Sequence, residues 1–156
     1  MSNVNCEAIR KLVENMPIPY AKMSGLYLDE IEERHAKLVL PLGDLHKNHV
    51  GTAYAGSMFV LAEIYTAVII YATYGMDKYI PIASKAEIEY VKPTRNDLVI
   101  DMSYTEEEAA EMIRPIEERG RGRITLNIPI RDTEGVDVAK VTAVVYLLPA
   151  NESLMK

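Results

Sequence analysis

The stretch YAGSMFVLAEIYTAVIIYATY, residues 54–74, decides the fold of this chain because apolar side chains cover nearly every side of it. As an α-helix it would be about 30 Å long, and a helix that is apolar all round belongs in the interior of a protein. The segment contains one acidic residue, Glu63, and its apolar part is short for a membrane span. We therefore expect a long central helix that the rest of the chain surrounds, and no membrane crossing.

The segments on either side of this helix alternate apolar and polar residues, which is the pattern of strands with one buried face. One hairpin is predicted before the helix and two hairpins after it, from the runs 26–31, 36–40, 82–91, 98–104, 124–131 and 136–148. Pro129 indicates an edge or a bulge in its run. The sequence thus predicts an α+β fold in which an antiparallel sheet of five to six strands wraps around one long helix.

Two further segments and the chain ends complete the predicted organisation. Residues 7–14 place apolar side chains on one face of a short helix, and two prolines then end the pattern. The acidic segment 105–119 predicts a surface helix or a loop. No internal repeat or linker interrupts the chain, so we expect one domain over residues 1–156, with a frayed tail at 151–156.

The composition excludes several classes of protein. Lys and Arg number 17 against 23 Asp and Glu, a formal net charge of -6, so the overall field repels nucleic acid and anionic membranes. The one cysteine, Cys6, allows no internal disulfide, which fits a reducing compartment. Residues 1–16 lack the apolar stretch of a signal peptide, so we expect a cytoplasmic protein. His46 and His49 have no cluster of further ligands, so no metal site is predicted.

Glu63 is the first candidate for chemistry, because it is the one carboxylate within the predicted buried helix. A buried carboxylate needs a partner or takes a shifted pKa, and a raised affinity for protons is what a general base needs. The alternative is a structural role, with the carboxylate bonded to a backbone group or to a tyrosine. The local pattern leaves both interpretations open.

The start of the same helix, residues 54–57 (Tyr-Ala-Gly-Ser), is the second candidate. Small residues would let a ligand approach the unpaired N–H groups of the first turn, where an oxyanion or a polarised carbonyl is stabilised. A plain loop-to-helix junction capped by Ser57 or Thr52 is the alternative. The polar pair of Asn48 and His49 in the preceding loop is a third candidate, which an ordinary turn would accept equally well.

Residues 48–63, NHVGTAYAGSMFVLAE, resemble the signature of hot-dog fold acyl-CoA thioesterases of the phenylacetate-pathway type. In that family an Asn precedes a His-Gly-Gly turn, and four residues separate this turn from Leu-Ala-Asp/Glu. Residues 87–93, EIEYVKP, and the Asn-Asp-Leu at 96–98 resemble the strand and turn that follow. The likeness covers about residues 20–148 and implies the hot-dog fold. The Ala-Gly-Ser turn at 55–57 is similar to that of a poorly characterised bacterial branch.

The resemblance implies catalytic roles for three residues: Asn48 stands at the family's Asn, Gly56 at the second Gly of the turn and Glu63 at the catalytic acid. The thioester carbonyl would accept a hydrogen bond from the Gly56 N–H, while Glu63 activates water or attacks directly. Neither a metal nor a redox cofactor is needed, and coenzyme A is part of the substrate. In the family two protomers share the site, so a homodimer or a dimer of dimers is implied.

This chain departs from the family's pattern at three positions. Tyr54 replaces the His of the turn, Ala55 replaces its first Gly, and Ala83 stands where several members have a Ser or Thr that helps to hold the water. Ser84 is adjacent, but successive strand residues face opposite sides of a sheet. We expect the three replaced positions, together with His49, to contact the substrate.

Local positive charge is expected to hold the coenzyme A end of the substrate. Lys92 and Arg95 lie at the strand turn that resembles the family's, and phosphate groups attract such cations. The alternative is an ordinary solvated strand end.

Two other functions compete with thioester hydrolysis. A 3-hydroxyacyl thioester dehydratase would pair His49 with Glu63, although residues 50–60 lack the proline-rich loop of such enzymes. A non-catalytic module that binds acyl-CoA is the other alternative, and the altered turn and Ala83 favour it. Release of free coenzyme A separates the module from the thioesterase.

Overall fold

The computed structural model describes residues 2–151, in which one antiparallel sheet of six strands wraps around a central helix. The helices are α1 (Cys6–Glu14), α2 (Pro19–Ser24), α3 (Ala55–Tyr74) and α4 (Glu106–Arg119). The strands are β1 (Tyr27–Glu32), β2 (His35–Leu40), β3 (Tyr79–Tyr90), β4 (Leu98–Ser103), β5 (Gly122–Asp132) and β6 (Asp137–Pro149). Their spatial order is β1-β2-β4-β5-β6-β3, which confirms the predicted α+β class. Residues 152–156 of the predicted tail lie outside the described residues.

The central helix α3 is enclosed, as its apolar composition predicts. Its Tyr65 is fully buried, and the Tyr65 hydroxyl donates to the Ala36 carbonyl oxygen at 2.7 Å and accepts from the Met102 N–H at 3.0 Å. This side chain therefore joins the core helix to both β2 and β4. The helix has the length and hydropathy of a membrane span, but 61% of that segment is buried inside the domain, as in the core helix of a globular fold.

The hairpin predicted between β3 and β4 is wrong. β3 pairs with β6 at one edge of the sheet, whereas β4 pairs with β2 and β5. The connection 91–97 therefore crosses three strand spacings, roughly 14 Å. Asp132 at the β5–β6 turn anchors this crossing, because it accepts hydrogen bonds from the Thr94 hydroxyl and the Asn96 amide. Alternation indicates which face of a strand is buried but not which strand lies beside it.

Two prolines take positions that their missing N–H permits. Pro129 lies in β5 beyond the short ladder with β4, so that side of β5 is an open edge at this residue. The predicted hairpin of β5 with β6 is confirmed. Pro19 follows the end of the first helix, as expected, and it also begins α2. Proline is tolerated in a first helical turn, where the N–H would be unpaired in any case.

The edge strand β3 contains a bulge that changes which side chains face the helix. Its register with β6 shifts between Ala83 and Lys85, so that Ser84 is the extra residue. Ala83 and Ala86 therefore lie on the same side of the sheet, whereas a regular strand would turn them to opposite sides. Residues 83–87 are exposed along this edge.

Candidate active site

Glu63 lies near the middle of α3 and lines a cavity of about 350 Å³. Its side chain is half-buried, and burial raises the pKa of its carboxyl group above the ordinary value. Within residues 2–151 this carboxylate has neither a hydrogen-bond partner nor an ion-pair partner. The structural alternative, a carboxylate bonded to a backbone group or to a tyrosine, therefore has no support among the described residues.

Small side chains form the wall of the cavity opposite Glu63. The cavity lies between α3 and the strands β3 and β6, and Ala83, Ala86 and Ala143 leave room there that larger side chains would fill. The bulge thus brings Ala83 to the cavity. The Ser84 hydroxyl is engaged elsewhere, because it accepts a hydrogen bond from Arg123 Nε at 3.1 Å.

The first turn of α3 leaves two backbone donors available to a ligand. The N–H groups of Ser57 and Met58 donate to the Tyr54 carbonyl oxygen, and no side chain caps the helix. Those of Ala55 and Gly56 have no acceptor within the described part of the chain. The partial positive charge of a helix N-terminus reinforces such donors, so this turn can stabilise negative charge on a ligand oxygen.

Gly56 is the point at which the Tyr54 ring lies over the helix. A Cβ atom at Gly56 would be 2.6 Å from Tyr54 Cε1, so only glycine accommodates this contact without movement of the ring. The Tyr54 ring is 50% exposed, and its hydroxyl has no partner within residues 2–151. The phenol therefore stands beside the two free donors and can reach a bound molecule.

Asn48 shapes the loop before α3. Its Oδ1 accepts from the N–H groups of Val50 and Thr52, at 3.1 and 3.0 Å, and its Nδ2 donates to Thr52 Oγ1 at 2.9 Å. The side chain thus closes the loop on itself, and it also lines a groove of about 250 Å³ with Ala55. His49 is exposed in a neighbouring groove that Tyr54 also lines.

The two predicted phosphate-binding cations differ in position. Lys92 lines the same groove as Asn48, where the Tyr90 hydroxyl donates to the Ala55 carbonyl oxygen at 3.2 Å. Arg95 is exposed in the connection 91–97 and does not line that groove. Neither cation has an ion-pair partner within residues 2–151, so both charges are available to an anion.

The predicted site residues fall into two groups rather than one. The first group surrounds the start of α3 and consists of Asn48, His49, Tyr54, Ala55, Gly56 and Lys92. The second group, Glu63 and Ala83, lines the cavity between α3 and β3. Gly56 and Glu63 are two helical turns apart, about 10 Å along the axis. The carbonyl oxygen of a thioester could not accept a hydrogen bond from the Gly56 N–H while Glu63 of the same chain attacked the carbonyl carbon. The two groups of candidate residues therefore lie apart within a single chain.

The sequence missed one polar cluster near the start of α3. His46 is buried, and its ring nitrogens lie within hydrogen-bond distance of Ser57 Oγ and of the Ser24 carbonyl oxygen. Its position in a polar loop gave no sign of burial. Among the described residues, no three His, Cys, Asp or Glu side chains come together as metal ligands.

A six-stranded antiparallel sheet around one long central helix defines a hot-dog fold. The chain belongs to the family described as DUF4442, a domain of unknown function, which matches residues 7–147. No curated protein matches the chain in sequence.

Solved structures share this arrangement. Protein PA5026 of Pseudomonas aeruginosa, named "Probable Thioesterase", is 24% identical with a TM-score of 0.83, over 95% of this chain and 99% of that chain. A hypothetical thioesterase from Streptococcus pneumoniae, solved with coenzyme A, is 15% identical with a TM-score of 0.63, over 84% and 94%. A mutant form of thioesterase PA1618 from Pseudomonas aeruginosa is 12% identical with a TM-score of 0.71, over 95% and 96%. These similarities establish the fold.

Proposed function

We propose that this protein is an acyl-CoA thioesterase in which Glu63 is the base or nucleophile and the first turn of α3 supplies the oxyanion donors. The observation that carries the proposal is the Glu63 carboxylate, half-buried and without a partner within residues 2–151, at the wall of a cavity of about 350 Å³. An unpaired carboxylate in such surroundings costs stability, and a group retained at that cost in a cleft is a candidate for chemistry. The apolar lining suits an acyl group.

In the proposed reaction the thioester carbonyl accepts hydrogen bonds from the Gly56 and Ala55 N–H groups. These donors are fixed before the reaction, so they stabilise the negative charge that develops on the oxygen. Glu63 takes a proton from the attacking water, or attacks the carbonyl carbon itself to form an anhydride that water then opens. The C–S bond breaks, and the products are a carboxylic acid and free coenzyme A. The reaction needs no cofactor beyond the coenzyme A of the substrate.

Two copies of the chain complete this site, because the donors and the acid of one α3 are about 10 Å apart. If two α3 helices lie antiparallel across a two-fold axis, Gly56 of one copy faces Glu63 of the other. Phe59, 41% exposed on this face, then lies near the axis. The exposed edge of β3 supports the same arrangement, since a free strand edge pairs readily with a second copy. We therefore propose a homodimer, or a dimer of dimers, with shared sites.

The coenzyme A end of the substrate would lie in the groove beside Asn48, with its phosphates at Lys92 and Arg95. Support comes from the two unpaired cations and from the coenzyme A bound in the Streptococcus pneumoniae structure. The roles of Tyr54, His49 and Ala83 as substrate contacts belong to the same proposal. So does the phenylacetate-pathway subtype, which rests on the motif at 48–63.

A panel of acyl-CoA thioesters tests the function. We expect coenzyme A, measured as free thiol, to appear with turnover for apolar acyl groups that fit the cavity. Binding of the same compounds without release of thiol would identify a binding module and overturn the proposal. Loss of water from a 3-hydroxyacyl-CoA without thiol release would identify a dehydratase.

A further inference from the structure

His46 is a buried histidine that the proposed reaction does not use. It ends a single turn of 3-10 helix, Asp44–His46, before α3, and it lines a different cavity from Glu63. Its Nδ1 is 2.8 Å from Ser57 Oγ, and its Nε2 is 2.6 Å from the Ser24 carbonyl oxygen. All three residues are buried. One imidazole thus links the end of α2 to the first turn of α3.

The partners of the ring determine the direction of both hydrogen bonds. A carbonyl oxygen can only accept, so Nε2 carries the proton and donates to Ser24. In the neutral ring Nδ1 is then an acceptor, and the Ser57 hydroxyl donates to it. Every polar atom of the pair has a partner, and this gives the link a single geometry.

His46 also holds the residue before the helix. Its carbonyl oxygen accepts the Tyr54 N–H at 2.8 Å. His46 therefore binds Tyr54 through its backbone and Ser57 through its ring. The two residues between these contacts are Ala55 and Gly56, whose N–H groups have no acceptor within residues 2–151.

We propose that His46, acting through Ser57, is a positioning residue that fixes the Ala55 and Gly56 N–H groups for the thioester carbonyl. The inference rests on the proposed thioesterase function and adds a residue that the family motif does not contain. Oxyanion donors act well only when their orientation is set before the reaction. A misplacement of the order of 1 Å can reduce a rate by about 100-fold.

The size of the adjoining space favours positioning over nucleophilic attack by Ser57. The cavity beside Ser57 and His46 measures about 70 Å³. This is one fifth of the volume of the Glu63 cavity, so an acyl group fits the Glu63 cavity better than the space beside Ser57. Ser57 is therefore a link in the structure around the donors rather than an acceptor of the acyl group.

Two substitutions remove the same hydrogen bond from opposite ends. Ser57→Ala deletes the hydroxyl, whereas His46→Gln keeps an amide that reaches the Nε2 position and can still donate to Ser24. We expect each to lower kcat by about 10- to 100-fold, with KM within about twofold of wild type. Because both act through one bond, the double variant should lose no more than either single variant. Ser57→Thr keeps the hydroxyl, and the small cavity beside Ser57 can take the added methyl group. This variant should therefore keep kcat near that of wild type.

Thr73→Ala is the matched control, since it too deletes a hydroxyl from α3, one that donates to the Ile69 carbonyl oxygen at the far end of the helix and not to His46. It should leave kcat unchanged. If wild type is active and Ser57→Ala and His46→Gln keep kcat within about twofold, the positioning role is wrong while the proposed function stands. An acyl group trapped on Ser57, detected by mass spectrometry, would also overturn it. If wild type hydrolyses no thioester, the proposed function fails, and the positioning role fails with it.

Discussion

In the C-terminal half of α3, residues 64–74, every side-chain hydroxyl but that of Tyr71 is hydrogen-bonded within the fold, whereas the N-terminal half, residues 55–63, leaves two backbone donors and a carboxylate without partners among the described residues. Tyr65 bonds to β2 and β4, and the Tyr74 hydroxyl donates to the Ala109 carbonyl oxygen at 2.8 Å. Two residues before Tyr65, the Glu63 carboxylate has no partner within residues 2–151. Paired and unpaired polar side chains thus lie within one turn of the same helix.

The difference shows where this fold gains stability and where it can carry out chemistry. A buried polar group with partners fixes the packing of the core. A half-buried group without partners destabilises the folded chain, and it is free to bind a ligand. If this division is correct, substitutions in the N-terminal half should change activity more than stability, and substitutions in the C-terminal half should do the reverse.

The largest expected effect is that of Glu63→Gln. The amide keeps the size of the side chain but can neither accept the proton nor attack, so kcat/KM should fall by about 10²- to 10⁴-fold. The exposed Glu107→Gln on α4 is the control and should keep full activity. Initial rates of thiol release measure both variants. Activity of Glu63→Gln close to wild type would remove Glu63 from the mechanism.

The same substitution should raise stability at neutral pH. Burial raises the pKa of Glu63 in the folded state, so the ionised carboxylate is less favourable there than in the unfolded chain. The free energy of unfolding of wild type therefore falls as the pH rises through the raised pKa of Glu63. The amide does not titrate, so the variant shows no such fall. The Tm of Glu63→Gln should exceed that of wild type at pH 7, and the two should converge below about pH 4. A lower Tm at pH 7 would mean that the carboxylate stabilises the fold.

The next largest effect tests whether two copies share the site. Gly56→Val would displace the Tyr54 ring and obstruct the free donors, and it should be nearly inactive, as should Glu63→Gln. When the two variants are unfolded and refolded together, half of the dimers are mixed and each has one intact site. About a quarter of wild-type activity should then return.

A chain that carries both substitutions is the control. Refolded with an equal amount of wild type, it should leave about a quarter of the activity if the sites are shared and about half if each site lies within one chain.

A sedimentation measurement should give twice the 17.5 kDa mass of the chain, or a multiple of that value. A monomer at micromolar concentration would contradict the shared site.

The division within α3 was partly predictable from the sequence. The uniform apolar composition of residues 54–74 predicted a central helix, and Glu63 was conspicuous as its one acidic residue. The alternation of the strands predicted a sheet, but the β3–β4 pairing was wrong because the contacts of Asp132 with the connection 91–97 join residues far apart in the sequence. Local patterns contain no information on such contacts.

The surroundings of the site were less predictable than its main residues. A bulge at Ser84 brings Ala83 to the cavity, and no periodic pattern indicates an added residue in a strand. His46 is buried because α2 and α3 meet around it, although most of its neighbours in the sequence are polar. Both features depend on packing between elements. The sequence identifies the residue types that can react, and the tertiary structure determines what surrounds them.

Tyr65→Phe should produce the converse of the Glu63 effect. It leaves the Ala36 carbonyl and the Met102 N–H without their buried partner, which should lower the free energy of unfolding by about 1 to 3 kcal/mol. Activity per folded molecule should not change. Tyr79→Phe is the control, because the Tyr79 ring is buried but its hydroxyl makes no hydrogen bond within residues 2–151. Denaturant unfolding measures both, and equal stability of the two variants would contradict the role given to Tyr65.

The smallest expected effect concerns the two cations near the N-terminal half of α3. Lys92→Glu and Arg95→Glu should each raise KM for an acyl-CoA by about two- to fivefold at low salt, the size typical of exposed charge pairs. Added salt should reduce the difference by screening. Lys11→Glu, an exposed site on α1 with the same change in net charge, is the control and should leave KM unchanged. An acyl-pantetheine thioester lacks the nucleotide phosphates, so its KM should respond to none of the three substitutions. The effect of Lys92→Glu should exceed that of Arg95→Glu, because Lys92 lines the groove and Arg95 does not. An equal rise in KM for both substrates would mean that Lys92 and Arg95 do not bind those phosphates.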